Sequence, residues 1–212
     1  AIRFLSQHTT EAAQQLLIEL ASHAEPVVVA ASLKRLNEID SSLVLPLTES
    51  VLASKDPQVR MQGVTASFNR PSPERISQLC EFLVDPHPSI RQQVSDGLLQ
   101  HSKNPEFHDV ICEGALKALS SSERQKETAL LLGELDHKPA AGRLIELLES
   151  PQPEIMQAAA WSLRKLAVPE TIPAIISRAS QQTEHRKNAT VVGLDEQVAH
   201  LFEALGVMQA KD

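Results

Sequence analysis

A block of about thirty residues recurs along the chain, and this recurrence limits the fold more than any composition figure does. PVVVAASLKRLNEI opens at Pro26, PQVRMQGVTASF at Pro57, PSIRQQVSDGLL at Pro88 and PEIMQAAAWSLRKL at Pro153. The first two steps are 31 residues each. Counting 31 back from Pro153 reaches Ser122, where SERQKETALLLGEL begins, so three residues are inserted after the Pro88 block. Each block carries apolar or small residues at helical spacing. Each has Pro or Ser in its first turn, where the missing N–H of Pro has no partner to lose. One such unit cannot bury its apolar stripe alone, whereas stacked neighbours bury a shared core.

A second helical pattern precedes each block. Leu17-Ile18-Glu19-Leu20, Leu79-Cys80-Glu81-Phe82 and Leu144-Ile145-Glu146-Leu147 keep the same offset from the following Pro. The unit is therefore helix A, a short turn, helix B and another turn. The spacing predicts helices over 11–22, 27–38, 42–53, 58–68, 74–84, 89–101, 106–119, 123–136, 139–149, 154–167, 171–181 and 195–208. Residues 1–8 align with the back half of a helix B, matching 128–135, and read as a partial repeat of a longer solenoid. Asp195 opens the last helix B, 42 residues after Pro153, and the polar stretch 181–193 reads as a flexible loop. On this reading residues 1–212 form a single repeat domain, a piece of a longer chain.

Composition agrees with helices. Aromatic residues are 3% of the chain, Tyr is absent and Gly numbers seven, which argues against a sandwich or barrel of hairpins. Apolar residues at 42% suffice for a core. No apolar run approaches the roughly 18 residues that a membrane span needs. Twenty basic residues against 27 acidic ones give a net charge of −7, which disfavours nucleic acid or an anionic membrane as partner. The two Cys form neither a disulfide framework nor a zinc site. Unpaired thiols and the lack of a signal peptide point to the cytoplasm.

The pattern resembles the HEAT-like repeats, in the short form of phycobilisome-lyase-type proteins and many bacterial scaffolds. Asp85-Pro86-His87-Pro88-Ser89-Ile90-Arg91, Ala129-Leu130-Leu131-Leu132-Gly133-Glu134-Leu135 and Ala158-Ala159-Ala160-Trp161-Ser162-Leu163 carry the resemblance, which covers nearly the whole chain. It implies an all-α, right-handed α–α superhelix of about six helical hairpins plus the partial N-terminal repeat, with B helices lining the concave side. The family's linking Asp and helix-B Arg match at Asp85 and Arg91. Ser54, Ser150 and Met156 depart from that pattern, so a ladder of Asp–Arg pairs is broken. The signature specifies fold and says little about activity.

Eight residues after each block start come Lys34, Thr65, Asp96, Leu130, Trp161 and Glu203. Four of the six are polar, so this position faces outward. It also holds the only Trp. Stacking brings Trp161 near Leu130, with Gln157 and Lys126 beside them, an anchor of the kind partners use. Arg60, Gln62, Gln92, Gln93, Asp96, Lys126 and Glu127 make a polar strip along successive B helices, a solvated face or a recognition strip for an extended peptide. Trp161, Leu130, Lys126, Gln157, Gln93 and Asp96 are thus the candidate partner-binding residues.

His101, His108 and Asp109 could gather at a loop, but their spacing matches no metal motif. The chain has no His-Glu dinucleotide of the kind the HEAT-like deoxyhypusine hydroxylases use for iron. It also lacks a Walker loop, a nucleophile elbow and a dinucleotide fingerprint. The reading is a non-catalytic scaffold without cofactor that binds a protein or peptide along the B helices. The alternative is an accessory or regulatory domain of a larger enzyme, sensor or membrane transporter. DNA-repair-type activity fits the mixed charge and single Trp of the B helices less well, and a lyase role would require bilin binding. The sequence does not specify an oligomeric state.

Overall fold

The computed structural model describes residues 10–121, 124–186 and 194–209. The partial repeat expected at 1–8 lies outside them. Twelve α-helices and no strand occur among the described residues. They pair as α1 (Glu11–Leu20) with α2 (Pro26–Asp40), α3 (Thr48–Leu52) with α4 (Pro57–Asn69), and α5 (Pro73–Cys80) with α6 (Pro88–His101). Then come α7 (Pro105–Ser121) with α8 (Lys126–Glu134), α9 (Ala141–Leu147) with α10 (Pro153–Leu166), and α11 (Ile172–Arg186) with α12 (Leu194–Gln209). The even-numbered B helices pack on one another in sequence order, and each A helix packs on its own hairpin partner or the next repeat.

Helix starts follow local chemistry. Pro26, Pro57, Pro73, Pro88, Pro105 and Pro153 each open a helix, as a residue without an N–H does best. Asp56 caps α4 by accepting from the N–H groups of Gln58 and Val59, and Ser72 caps α5 through Arg75 N–H.

The A helices are more broken than periodicity predicts. Residues 42–53 are not one helix. Two 3₁₀ turns, Ser41–Leu43 and Leu45–Leu47, precede the short α3, because Pro46 cannot donate within an α-helix. The stretch 74–84 ends in a 3₁₀ turn at Glu81–Val84, and 139–149 begins with one at Lys138–Ala140, around Pro139. Helix α8 starts at Lys126 rather than 123. Helix α11 runs on to Arg186, so the first part of the loop expected over 181–193 is helical. Its polar composition hid a buried face: Ala179 and Gln182 lie inside, and Thr183 Oγ1 donates to Ala179 O at 2.6 Å. Residues 187–193 lie outside the described residues.

The buried apolar residues form two clusters. They meet at α4, which gives Val59 and Ala66 to the N-terminal cluster and Val64 to the larger C-terminal one. Spacing between B helices is set by side-chain size. Ala129, Ala159, Ala160 and Ala204 are fully buried between α8, α10 and α12. Ser162 Oγ there lies 2.8 Å from the carbonyl oxygens of both Ala129 and Ala158. Helices α4 and α6 stand further apart. Phe68 lies between them over Gly97, where an added Cβ would come within 2.5 Å of the phenyl ring.

The arginine positions also differ from expectation. Arg60 is buried, not part of a solvated strip, and binds Asp85 of the following repeat. Arg91 repeats the step with Glu127 in place of the Asp, at 3.1 Å. Gln125 holds the same offset in the fourth block and donates to Leu119 O at 2.8 Å. The Arg60 and Arg91 rungs thus each join one repeat to the next, whereas Gln125 stays within its own hairpin, and the chemistry of this position changes along the stack.

Candidate functional site

Side chains one, four or five, eight and twelve residues after each block start fall on one face of every B helix, because these spacings return to the same side of a 3.6-residue turn. None of the six residues at the eighth position is buried: Lys34, Asp96 and Glu203 are exposed, and Thr65, Leu130 and Trp161 are half-buried. The face holds a groove of about 880 Å³ where α4 and α6 are held apart. Thr65, Asn69, Gln92, Gln93, Asp96 and Gln100 supply its polar lining. Phe68 and His101 supply an aromatic wall, their rings stacked at 5.3 Å and 5° from parallel. The wall continues to Phe107, whose ring meets His101 edge-on at 6.2 Å.

The groove is acidic and amide-rich. Gln92 Nε2 donates to Asp96 Oδ1 at 2.9 Å, and Gln93 Nε2 donates across the helices to Thr65 Oγ1 at 3.2 Å. Asn69 Nδ2 donates to Ser41 Oγ at 2.8 Å. No Lys or Arg lines the groove. Asp96 pairs with no cation among the described residues, whereas Glu127 at the rim is held by Arg91. Burial lowers the pKa of His101, against the opposing effect of a hydrogen bond with the Phe68 backbone, and favours the neutral ring.

The sequence-derived site residues divide between two places. Gln93 and Asp96 line the groove. Trp161, Leu130, Lys126 and Gln157 lie further along the same face, on the closely packed helices α8 and α10. Leu130 packs against the core. Lys126 is exposed and reaches Glu154 at 3.8 Å. Lys165 Nζ stands 5.3 Å from the Trp161 ring centroid and 3.3 Å from Glu134. The indole is therefore half-covered, with a cation already over its face. Phe68, Asn69 and Gln100 went unnoticed in the sequence, and His101 was weighed there only as a possible metal ligand. The offset of twelve residues, at Asn69 and Gln100, was the available signal.

Cys80, Cys112 and His108 lie outside the groove. Cys80 is buried and its thiol is pushed up to about 12 by desolvation. Cys112 Sγ lies 3.6 Å from His108 Nε2, and burial, then Asp109 and Glu113, raise its pKa too. Both thiols thus stay protonated and poorly nucleophilic. His108 turns to Cys112 and to Ser102 O, while His101 stacks on Phe68. No group of three His, Cys, Asp or Glu among the described residues could hold a metal ion. No helix among them is long and apolar enough to cross a membrane.

Residues 109–195 match the family model of HEAT repeats. No curated protein is significantly similar to the chain. Among solved structures, the archaeal HEAT-like repeats protein from Thermococcus onnurineus NA1 is 12% identical with a TM-score of 0.54, over 98% of this chain and 92% of its own. One engineered protein is 18% identical with a TM-score of 0.53, over 93% of this chain and 96% of its own. A second is 15% identical with a TM-score of 0.53, over 92% and 98%. At these identities the likeness is one of fold. In architecture the chain is an α-solenoid like these proteins, and residues 109–195 carry the HEAT-repeat signature.

Proposed function

We propose that the chain is a non-catalytic binding scaffold whose B-helix face takes an extended segment of a partner protein in the groove between α4 and α6. The observation that carries this reading is the groove's lining. A side-chain amide offers a donor and an acceptor together, the same pair that each backbone unit of an extended segment presents. Asn69, Gln92, Gln93 and Gln100 set four such groups along two neighbouring helices. Asp96, with no cation facing it, adds a preference for a Lys or Arg side chain on the ligand. The Phe68–His101 wall offers a surface on which the stem of that side chain can lie.

A random-peptide phage library panned on the protein tests this. Selected peptides should be rich in Lys or Arg. By fluorescence anisotropy, the Gln92→Ala/Gln93→Ala double variant and Asp96→Asn should each bind them about tenfold more weakly or worse, the scale of a lost charge-assisted or paired hydrogen bond. Their melting temperatures should stay at the wild-type value. Peptides that bind the variants as tightly as the wild type would reject the groove as the site.

A further inference from the structure

The groove has a course. Its lining follows α6 from Pro88 in the first turn, through Gln92 and Asp96, to Gln100 and His101 in the last. The neighbouring B helices bound it at either end. Glu127 of α8, held by Arg91, stands at the rim toward the N-terminal end, and Phe68 of α4 stacks on His101 at the C-terminal end. From Pro88 to His101 the path measures about 20 Å, at about 1.5 Å per helical residue. An extended segment rises about 3.3 Å per residue, so about six residues fill it. The volume of about 880 Å³ agrees with a short occupant, being within the roughly 300–1,000 Å³ of sites that enclose one small molecule. The neighbouring interfaces are closed by direct contacts. Ser95 Oγ of α6 donates to Glu127 O of α8 at 3.4 Å, and Ala129, Ala159 and Ala160 are fully buried between α8 and α10. On the other side, Asn37 Nδ2 of α2 donates to Gln62 O of α4 at 3.0 Å.

We infer that the partner's recognition element is a segment of about six residues with one Lys or Arg near its middle, lying extended along α6 instead of crossing successive repeats. This rests on the reading of the groove as the binding site and adds the length, course and hydrogen-bond polarity of what it takes. Three of the groove's amides already use their nitrogens: Gln92 Nε2 donates to Asp96, Gln93 Nε2 to Thr65 and Asn69 Nδ2 to Ser41. Their side-chain oxygens accept no hydrogen bond among the described residues. With the carboxylates of Asp96 and Glu127 they make the groove rich in acceptors. It therefore suits a ligand that brings donors, namely the backbone N–H groups of an extended segment and one cationic side chain. Asp96 lies between Gln92 and Gln100, one helical turn from each, which sets the basic residue near the middle of the segment. A segment crossing the stack would leave the ends of the groove empty and meet closed interfaces beyond α4 and α8.

Peptides of about twelve residues selected by panning, twice the span of the groove, test the inference beside their half-length cores centred on the shared Lys or Arg. By fluorescence anisotropy each core should bind within about twofold of its parent peptide. Gln92 and Gln100 are exposed and lie toward opposite ends of the path. Trimming one end of the core should therefore erase the effect of Gln92→Ala and keep that of Gln100→Ala, and trimming the other end should do the reverse. Lys34→Ala on α2 and Lys165→Ala on α10, both exposed and outside the groove, should leave binding unchanged. Circular dichroism on all four variants should show the wild-type helix content. Cores that bind about tenfold more weakly than their parents, or peptides weakened by Lys34→Ala or Lys165→Ala, would overturn the course along α6 while keeping the groove as the site. Selected peptides indifferent to Asp96→Asn would overturn both readings.

Discussion

Arg60 and Asp85 are joined by two parallel hydrogen bonds of 2.8 Å, from Nε and Nη2 to the two carboxylate oxygens, across a repeat boundary and largely buried. The remaining nitrogen, Nη1, donates to Ser54 O and Lys55 O at 2.9 and 3.0 Å. Asp85 Oδ1 also accepts from the His87 N–H at 2.7 Å, at the turn before α6. One ion pair thus ties the end of one hairpin, the start of the next B helix and the turn between them. Removing one partner leaves the other charge desolvated and alone. Asp85→Ala should lower the unfolding free energy by about 3–5 kcal/mol in urea titration. Arg70→Ala is the contrast: its pair with Asp40 is solvent-exposed, and the urea midpoint should not move. Equal effects of the two substitutions would refute the assignment.

Gly133 and Gly142 separate close packing from helix propensity. A Cβ at Gly133 would lie 2.8 Å from Ser162 Oγ and 3.0 Å from the Ser162 backbone, so the B helices must part to admit it. Gly133→Ala should cost roughly 1–3 kcal/mol, the range of an overpacked core. At Gly142 a Cβ meets nothing within 4 Å, in the first turn of α9. Gly142→Ala should be neutral or stabilise by up to about 1 kcal/mol. Thermal denaturation of both variants decides. A stabilised Gly133→Ala would show that the α8–α10 interface is looser than the alanine contacts indicate.

The repeat, its helix starts and its outward positions were legible because they are local. A Pro in the first turn and a stripe at 3.6-residue spacing are written within a dozen residues, as at Pro57 and Pro88. The breaks in the A helices were legible in part, since Pro46 and Pro139 were visible but the periodicity outweighed them. What could not be read depends on pairs brought together by stacking. Arg60 was placed on the solvated strip because its acid, Asp85, comes from the next repeat. The groove was missed because it arises from one interface built around Phe68 and Gly97 while its neighbours are built from Ala, Gly and Ser. Trp161 drew notice as the only Trp, yet it lies where the helices are close and Lys165 already covers part of the ring.

His101 gives the stability a pH dependence of predictable sign. Its pKa is lowered in the folded chain, mainly by burial, so the unfolded chain holds the proton more tightly. His137 shifts in the same direction through burial and then the neighbouring His108. A base that is depressed on folding stabilises the fold while it is neutral. Its contribution is present above the ordinary histidine value of about 6.5 and is lost as pH falls from there through the lower folded value. The urea midpoint should fall as the pH is lowered from neutral through the ordinary histidine value. The fall should be smaller in His101→Gln. An NMR titration in which the His101 ring protonates at or above the ordinary value would contradict this account.

Trp161 and Leu163 sit two residues apart on α10 and face opposite ways. Leu163 is fully buried in the larger apolar cluster, while Trp161 is half-exposed with Lys165 above it. Leu163→Ala opens a cavity between helices and should cost about 2–5 kcal/mol. Trp161→Ala removes a ring that neither fills the core nor donates a hydrogen bond among the described residues, and should cost about 1 kcal/mol despite the larger loss of volume. Urea denaturation followed by circular dichroism compares the two without relying on indole fluorescence. A loss for Trp161→Ala as large as that for Leu163→Ala would make the indole a structural residue. The B-helix face near α10 would then have no aromatic anchor to offer.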